Sequence, residues 1–228
     1  MGNNPVVSFN SFDLIQEAFV KNADAFAGRP NTQLKLLRGG IYGIVMTDGE
    51  LWKEHRKFAL NVLKKFGMGK NLMQERVLNE VTWMIDEMKE HIKKGEDEIS
   101  VHHKIDVAVG SIINLLIFGY AFHEKYLEEF FKIKSLMRDF IKVSGNPLFR
   151  LVSADTTGIM RRLPGFSTSY SDGKRLGDEL RAFFNGQIKE RRQKIDFTED
   201  SEPTDYVEAY LRQQQKNEKS GEDGDLFS

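Results

Sequence analysis

Trp52 and Arg56 lie four residues apart in the run Glu50-Leu51-Trp52-Lys53-Glu54-His55-Arg56, so a helix through this segment projects both side chains from one face. An indole N–H beside a guanidinium fork suits a carboxylate. Spacing alone leans to a plainer arrangement, a surface cation–π pair, and only the surroundings decide between the two. Other chemistry is thin. Gly67-Met68-Gly69-Lys70 looks superficially like a phosphate loop, but it lacks the earlier glycine and has Asn71 where Ser or Thr must reach magnesium, so it reads as a helix stop. His55, His91, His102, His103 and His123 include no pair three or four apart on one helix, which argues against a metal site. No G-x-S-x-G elbow offers a serine nucleophile. Lys189, Arg191, Arg192 and Lys194 are interleaved with acidic neighbours and read as a solvated helix end near the negative pole of its dipole. No catalytic residue and no metal ligand is assigned.

The elements that must hold these residues are mostly helical. Pro5 to Phe9 is a short β-branched run that reads as a minor strand, leading into a helix from about Phe12 to Asn22. Gly28, Gly39, Gly40, Gly43, Gly49 and Pro30 mark a long loop, and loops of that length in compact domains are usually functional. Asp48 is placed to cap a helix over Glu50 to Lys64, which Gly67 and Gly69 end. From Asn71 to Lys94, Met73, Val77, Val81, Met84, Met88 and Ile92 make an amphipathic stripe. Val101 to Ile117 is apolar nearly all round and predicts a helix buried on most sides. Glu124 to Val143 is again amphipathic, Ser144 to Tyr170 reads as an irregular connection, and Leu176 to Ile195 and Thr204 to Lys219 read as surface helices. Gln213 onward is polar and reads as a mobile tail, about 213–228.

Composition narrows the classes. In 228 residues, 33 basic against 34 acidic side chains point to no nucleic-acid partner, and 40% hydrophobic content supports a real core. Cysteine is absent, which removes disulfides, thiolate ligands and cysteine nucleophiles. The longest apolar stretch, Ser111 to Phe122, is short of the ~20 residues a span needs and carries Asn114 and Gly119, so no membrane span and no signal peptide is expected.

The surroundings of Trp52 and Arg56 are specific. Gly43-Ile44-Val45-Met46-Thr47-Asp48-Gly49-Glu50-Leu51-Trp52-Lys53-Glu54-His55-Arg56-Lys57-Phe58, continuing to Phe66-Gly67-Met68-Gly69-Lys70, resembles the C-helix signature of microsomal-type cytochrome P-450 monooxygenases. Phe26-Ala27-Gly28-Arg29-Pro30 is similar to the segment after that family's B helix. Ile112-Ile113-Asn114 with Phe118-Gly119-Tyr120-Ala121-Phe122 resembles its E-helix end, Leu163-Pro164-Gly165 the approach to its G helix, and Asp205-Tyr206-Val207 its H helix. These motifs fall in the family's order along almost the whole chain.

The resemblance implies a mainly α fold, with residues 1–228 as one partial domain corresponding to an N-terminal portion, roughly B helix through H helix. It implies that Trp52 and Arg56, assisted by Arg29, bind the propionates of haem b (iron protoporphyrin IX), and that Val45 and Met46 line the substrate pocket. Ser144 to Tyr170 would border its entrance. The complete enzyme would insert one oxygen atom into an apolar small molecule. NADPH-dependent cytochrome P-450 reductase and cytochrome b5 would be its partners, at the cytosolic face of the endoplasmic reticulum membrane. Lys53, Lys57 and Lys64 are candidate contacts for an acidic reductase surface. The family's iron sits on a cysteine thiolate, which this chain lacks, so the expectation is a chain that neither retains haem nor turns over alone, with apolar faces uncovered on the helices starting at Asn71 and Val101. The rivals are a non-catalytic truncated isoform or remnant serving as a helical interaction module, and a haem carrier ligated through His55, His102 or His123.

Overall fold

The computed structural model describes residues 6–29, 42–69, 71–96, 98–155, 157–198 and 201–220. Among these, eight α-helices follow one another and no strand forms. The minor strand expected over Pro5 to Phe9 does not appear among the described residues: Val6 to Phe9 form no strand there, and Pro5 lies outside them. A strand needs a neighbour to satisfy its backbone groups, and a lone β-branched run supplies none.

Helix α1, Phe12–Gln16, opens on a Ser11 hydroxyl that accepts from the Leu14 amide at 3.4 Å. The expected helix to Asn22 gives way to a π-helical turn, Glu17–Lys21, and a 3₁₀ turn, Ala23–Phe26. Phe9, Phe19 and Phe26 meet edge to face, with ring centroids 5.5 to 5.7 Å apart, and fasten this segment to itself.

Helix α2, Gly49–Lys65, ends where Gly67 adopts a left-handed φ of 100°. Asp48 stands at its N-cap, yet the carboxylate caps nothing there: it accepts from the Arg29 amide at 3.2 Å instead. Helix α3, Asn71–Lys93, and helix α4, Val101–Phe118, match the pattern of the sequence, with Gly119 at φ 80° closing α4. Burial differs. In α3 Glu80 is the fully buried residue, while Val77 and Ile92 of the stripe are exposed. In α4, Val107, Ala108, Ser111, Asn114 and Phe118 face inward, but Ile105, Val109 and Ile113, at steps of four, are 47%, 50% and 52% exposed. One side of α4 is thus open rather than most sides buried, as the uncovered-face expectation required. Over its whole length α4 is also apolar enough to cross a membrane, because the window average absorbs Lys104 and Asp106; the expectation of no such helix is corrected to that extent. Core helices of soluble proteins pass the same test.

Helix α5, Leu127–Ser144, follows a 3₁₀ turn, Glu124–Tyr126. The connection expected to be irregular contains helix α6, Pro147–Ala154, started by the Asn146 side chain accepting from Leu148 N at 2.9 Å and by Pro147 in the first turn. After the 3₁₀ turn Met160–Arg162, helix α7 runs from Phe166 to Lys194, beginning well before Leu176. Helix α8, Tyr206–Ser220, buries Val207, Glu208, Ala209 and Leu211, so it is no mere surface helix. The polar run from Gln213 to Ser220 belongs to it; residues 221–228 lie outside the described part.

The long α7 lies along α5 and α6, α3 packs on α4, and α8 bridges α2, α4 and α7. Among the described residues the core is four small clusters rather than one. Phe118, Ile195, Val207 and Leu211 join α4 to α8, and Val62 and Phe66 join α2 to Ala209 of α8.

Candidate cofactor site on helix α2

The loop before α2 is tied down from both ends. Thr47, completely buried, donates its hydroxyl to the Gly43 carbonyl. Arg29 donates from Nε to the Val45 carbonyl at 3.0 Å and from Nη1 to the carbonyls of Ala27 at 2.7 Å and Gly28 at 3.2 Å. Nε and Nη1 of Arg29 are therefore engaged with backbone oxygens, and among the described residues no hydrogen bond or cation–π contact joins Arg29 to Trp52 or Arg56.

Trp52 and Arg56 do come together. The Arg56 Cζ stands 5.4 Å from the Trp52 ring centroid, the cation–π arrangement anticipated from their spacing. Trp52 is half-buried and Arg56 exposed. Among the described residues, the indole N–H has no acceptor and the guanidinium no carboxylate partner. The stacking explains their proximity and leaves both sets of N–H donors available to an added anion.

Val45 and Met46 sit in the same loop, Val45 at 70% exposed and Met46 half-buried. The rest of the long loop, residues 30–41, lies outside the described residues. Neither Val45 nor Met46 lines the nearby cleft of about 760 Å³ between α2, α4, α7 and α8. Leu51, His55 and Leu63 of α2 form one wall and Tyr206 and Tyr210 of α8 the other, with Arg192 at the rim. Burial pushes the Tyr206 hydroxyl up to about 12 and raises Tyr210 as well, so both stay neutral donors at ordinary pH. The α8 wall escaped the sequence reading, although Tyr206, Val207, Tyr210 and Leu211 repeat at the helical interval.

Lys53, Lys57 and Lys64 are exposed along α2. Lys53 bonds Glu50 at 2.9 Å, and that hydrogen bond and charge raise its pKa. The histidines do not gather: among the described residues no group of three possible metal ligands occurs. His123 stacks on Trp83 with centroids 3.9 Å apart and meets the buried Glu80 at 2.8 Å, while His102 pairs with Asp106 at 3.4 Å on the surface.

The basic cluster of α7 is corrected at Arg191. It is not solvated but bonds Asp205 Oδ2 at 2.6 Å, Glu208 Oε2 at 2.7 Å and Thr204 Oγ1 at 2.8 Å. Burial works to raise the Glu208 carboxyl, but Thr204, Arg212 and Arg191 outweigh it and hold it below the ordinary carboxylate range. This network fixes α8 against α7, and so places the tyrosine wall of the cleft.

A family model described as Cytochrome P450 matches residues 1–227. Among curated proteins, the chain is 28% identical over 225 residues to Cytochrome P450 2B4 of Oryctolagus cuniculus, covering 95% of this chain and 42% of that protein. It is 30% identical over 224 residues to Cytochrome P450 2B19 of Mus musculus, covering 96% and 42%. Cytochrome P450 2J1 of Oryctolagus cuniculus is 30% identical over 219 residues, covering 95% and 41%. The chain thus spans about two fifths of the length of the relatives it matches.

Proposed function

Because the chain belongs to the cytochrome P450 family, we propose that it forms one wall of the haem pocket of a haem-thiolate monooxygenase. Its residues 1–228 would be part of a single domain. Haem b, with its iron on a cysteine thiolate, would supply the oxygen activation by which one oxygen atom enters an apolar small molecule. The observation that carries this reading is the Trp52/Arg56 pair: two sets of donors on one helical face, held together by stacking and without a protein acceptor among the described residues.

In this reading Trp52 and Arg56 bind propionate oxygens, fixing the ring plane and neutralising charge as water is excluded. The residues present fit that end of the cofactor. They do not supply the axial ligand, since none of the 228 residues is cysteine, so the chain by itself neither holds the iron as a thiolate nor turns over. Val45 and Met46, in a loop with an exposed valine, would contribute to the substrate pocket. Lys53, Lys57 and Lys64 would meet an acidic electron-donating partner, NADPH-dependent cytochrome P-450 reductase or cytochrome b5, at the cytosolic face of the endoplasmic reticulum. The open face of α4 favours a second reading, a helical interaction module without catalysis.

The chain is not expected to carry haem through purification, so titration with added haem, followed by the Soret band for weak reversible binding, tests the clamp. Hydrogen bonds to a charged group contribute about 1.5–3 kcal/mol, so Arg56→Gln should weaken haem binding by about 10- to 100-fold. Trp52→Phe should weaken it less. Unchanged affinity in both variants would sink the clamp. A carbon-monoxide difference spectrum typical of thiolate-ligated iron would sink the claim that the chain cannot act alone.

A further inference from the structure

We propose that Arg29 is a positioning residue: its guanidinium staples the loop before α2 to residues 27–29 and thereby sets where Trp52 and Arg56 stand, before any ligand arrives. Three observations carry this. Two strands of chain 16 to 19 positions apart in sequence are cross-linked at two points, by Nε to the Val45 carbonyl at 3.0 Å and by the Arg29 amide to Asp48 Oδ2 at 3.2 Å. The near side of the staple is held to its own chain by Nη1 on the Ala27 and Gly28 carbonyls. The far side runs directly into α2: Asp48 is its N-cap residue, Gly49 takes a left-handed φ of 65°, and the Trp52 amide donates to the Asp48 carbonyl at 3.4 Å.

Asp48 therefore does two things at once. Its carboxylate anchors the loop to Arg29, and its carbonyl accepts the helical bond from the very residue that carries the indole. With no side-chain cap on α2, the first turn depends on the loop for its position. Slack between Arg29 and Val45 would pass straight to Trp52.

The proposal separates fork geometry from charge. Lysine keeps the positive charge that would attract a propionate, but one ammonium on a flexible stem cannot reproduce bonds from Nε and Nη1 to carbonyls on two segments. Only the consequence for haem rests on the clamp reading; the staple itself does not.

The experiment uses the full chain without haem in a Trp83→Phe background, which leaves Trp52 as the sole tryptophan, since the sequence has two. Arg29→Lys and Asp48→Ala are compared by acrylamide quenching of Trp52 and by amide hydrogen exchange over 43–52, with far-UV circular dichroism as the control for folding. Both variants should keep their helical signal, expose Trp52 to quencher, and speed exchange in the loop and first turn by about tenfold. Haem affinity should then fall in the same order. Unchanged quenching and exchange in Arg29→Lys overturns the proposal, including the case in which haem affinity alone falls, which would make Arg29 a ligand contact only. If quenching and exchange respond while haem affinity does not, the staple stands and the propionate clamp is what fails.

Discussion

Replacing Arg191 with Met should be among the most damaging single changes in this chain. The guanidinium is 20% exposed and faces Asp205, whose side chain is fully buried, and Glu208, 7% exposed. Removing it leaves Glu208 with Arg212 at 3.0 Å, but leaves Asp205 with the Glu208 amide at 2.8 Å as its neutral partner and no cation. Breaking a buried pair by deleting one member costs about 3–5 kcal/mol, against about 0–1 kcal/mol for an exposed pair. In urea unfolding followed by circular dichroism, with a slope of about 1–3 kcal/mol per molar, the midpoint should drop by about 1 M or more. The pH dependence supplies a second arm. The folded Glu208 carboxyl sits below its ordinary value, so its stabilisation is complete above the unfolded pKa of about 4.3 and is lost as pH falls through the folded one. The gap between wild type and Arg191→Met should therefore narrow below about pH 4.3. A cost under about 1 kcal/mol at pH 7, or a gap constant from pH 7 to pH 3, would refute the buried-network reasoning.

Three further outcomes are expected. Gly173→Ala places a Cβ 2.1 Å from a ring atom of Phe149, itself 1% exposed, so overpacking should cost about 1–3 kcal/mol in thermal or urea unfolding, and Phe149→Leu in the same chain should recover part of it. Tyr206, neutral up to about 12 when folded, makes stability fall as pH rises from about 10 towards that value, because the unfolded chain releases the proton first; Tyr206→Phe should flatten this alkaline limb, read by unfolding at pH 9 to 12. Val109→Lys with Ile113→Lys, at half-exposed positions of α4, should reduce aggregation and dye binding to exposed apolar surface while changing stability by no more than about 0.5 kcal/mol per site.

Helices with a strong period were legible in the sequence. The stripe of α3, the glycine stop of α2 and the apolar run of α4 placed those elements to within a residue or two, because periodicity and left-handed glycines act locally. The failures share one cause. Residues 166–175 of α7, with Ser, Thr, Asp and Gly, have poor helix propensity, and they are helical because Phe149 packs against Gly173. Arg191 read as solvated since its partners, Asp205 and Glu208, are distant in sequence and reach it only when α8 folds back on α7. The strand at the N-terminus read correctly as a β-branched run but needed a neighbour that local sequence cannot supply.

The site divides the same way. Trp52 and Arg56 share a helix, so their meeting follows from a four-residue step and was readable at once. Arg29 is different. The resemblance implies a role for it beside the cofactor, and nothing in Phe26-Ala27-Gly28-Arg29-Pro30 says that its fork closes on the Val45 carbonyl. That bond spans a loop, and loop conformation is set by where backbone groups find partners rather than by side-chain pattern. Once the bond exists, it alters what the helical pair means. An exposed Arg56 stacked on Trp52 could drift with a fraying first turn, whereas a turn whose Asp48 is held by the Arg29 amide presents its donors in one place. Preorganisation of that kind lowers the ordering cost of binding an anion, so the affinity proposed for the pair would depend on a residue that need not touch the ligand.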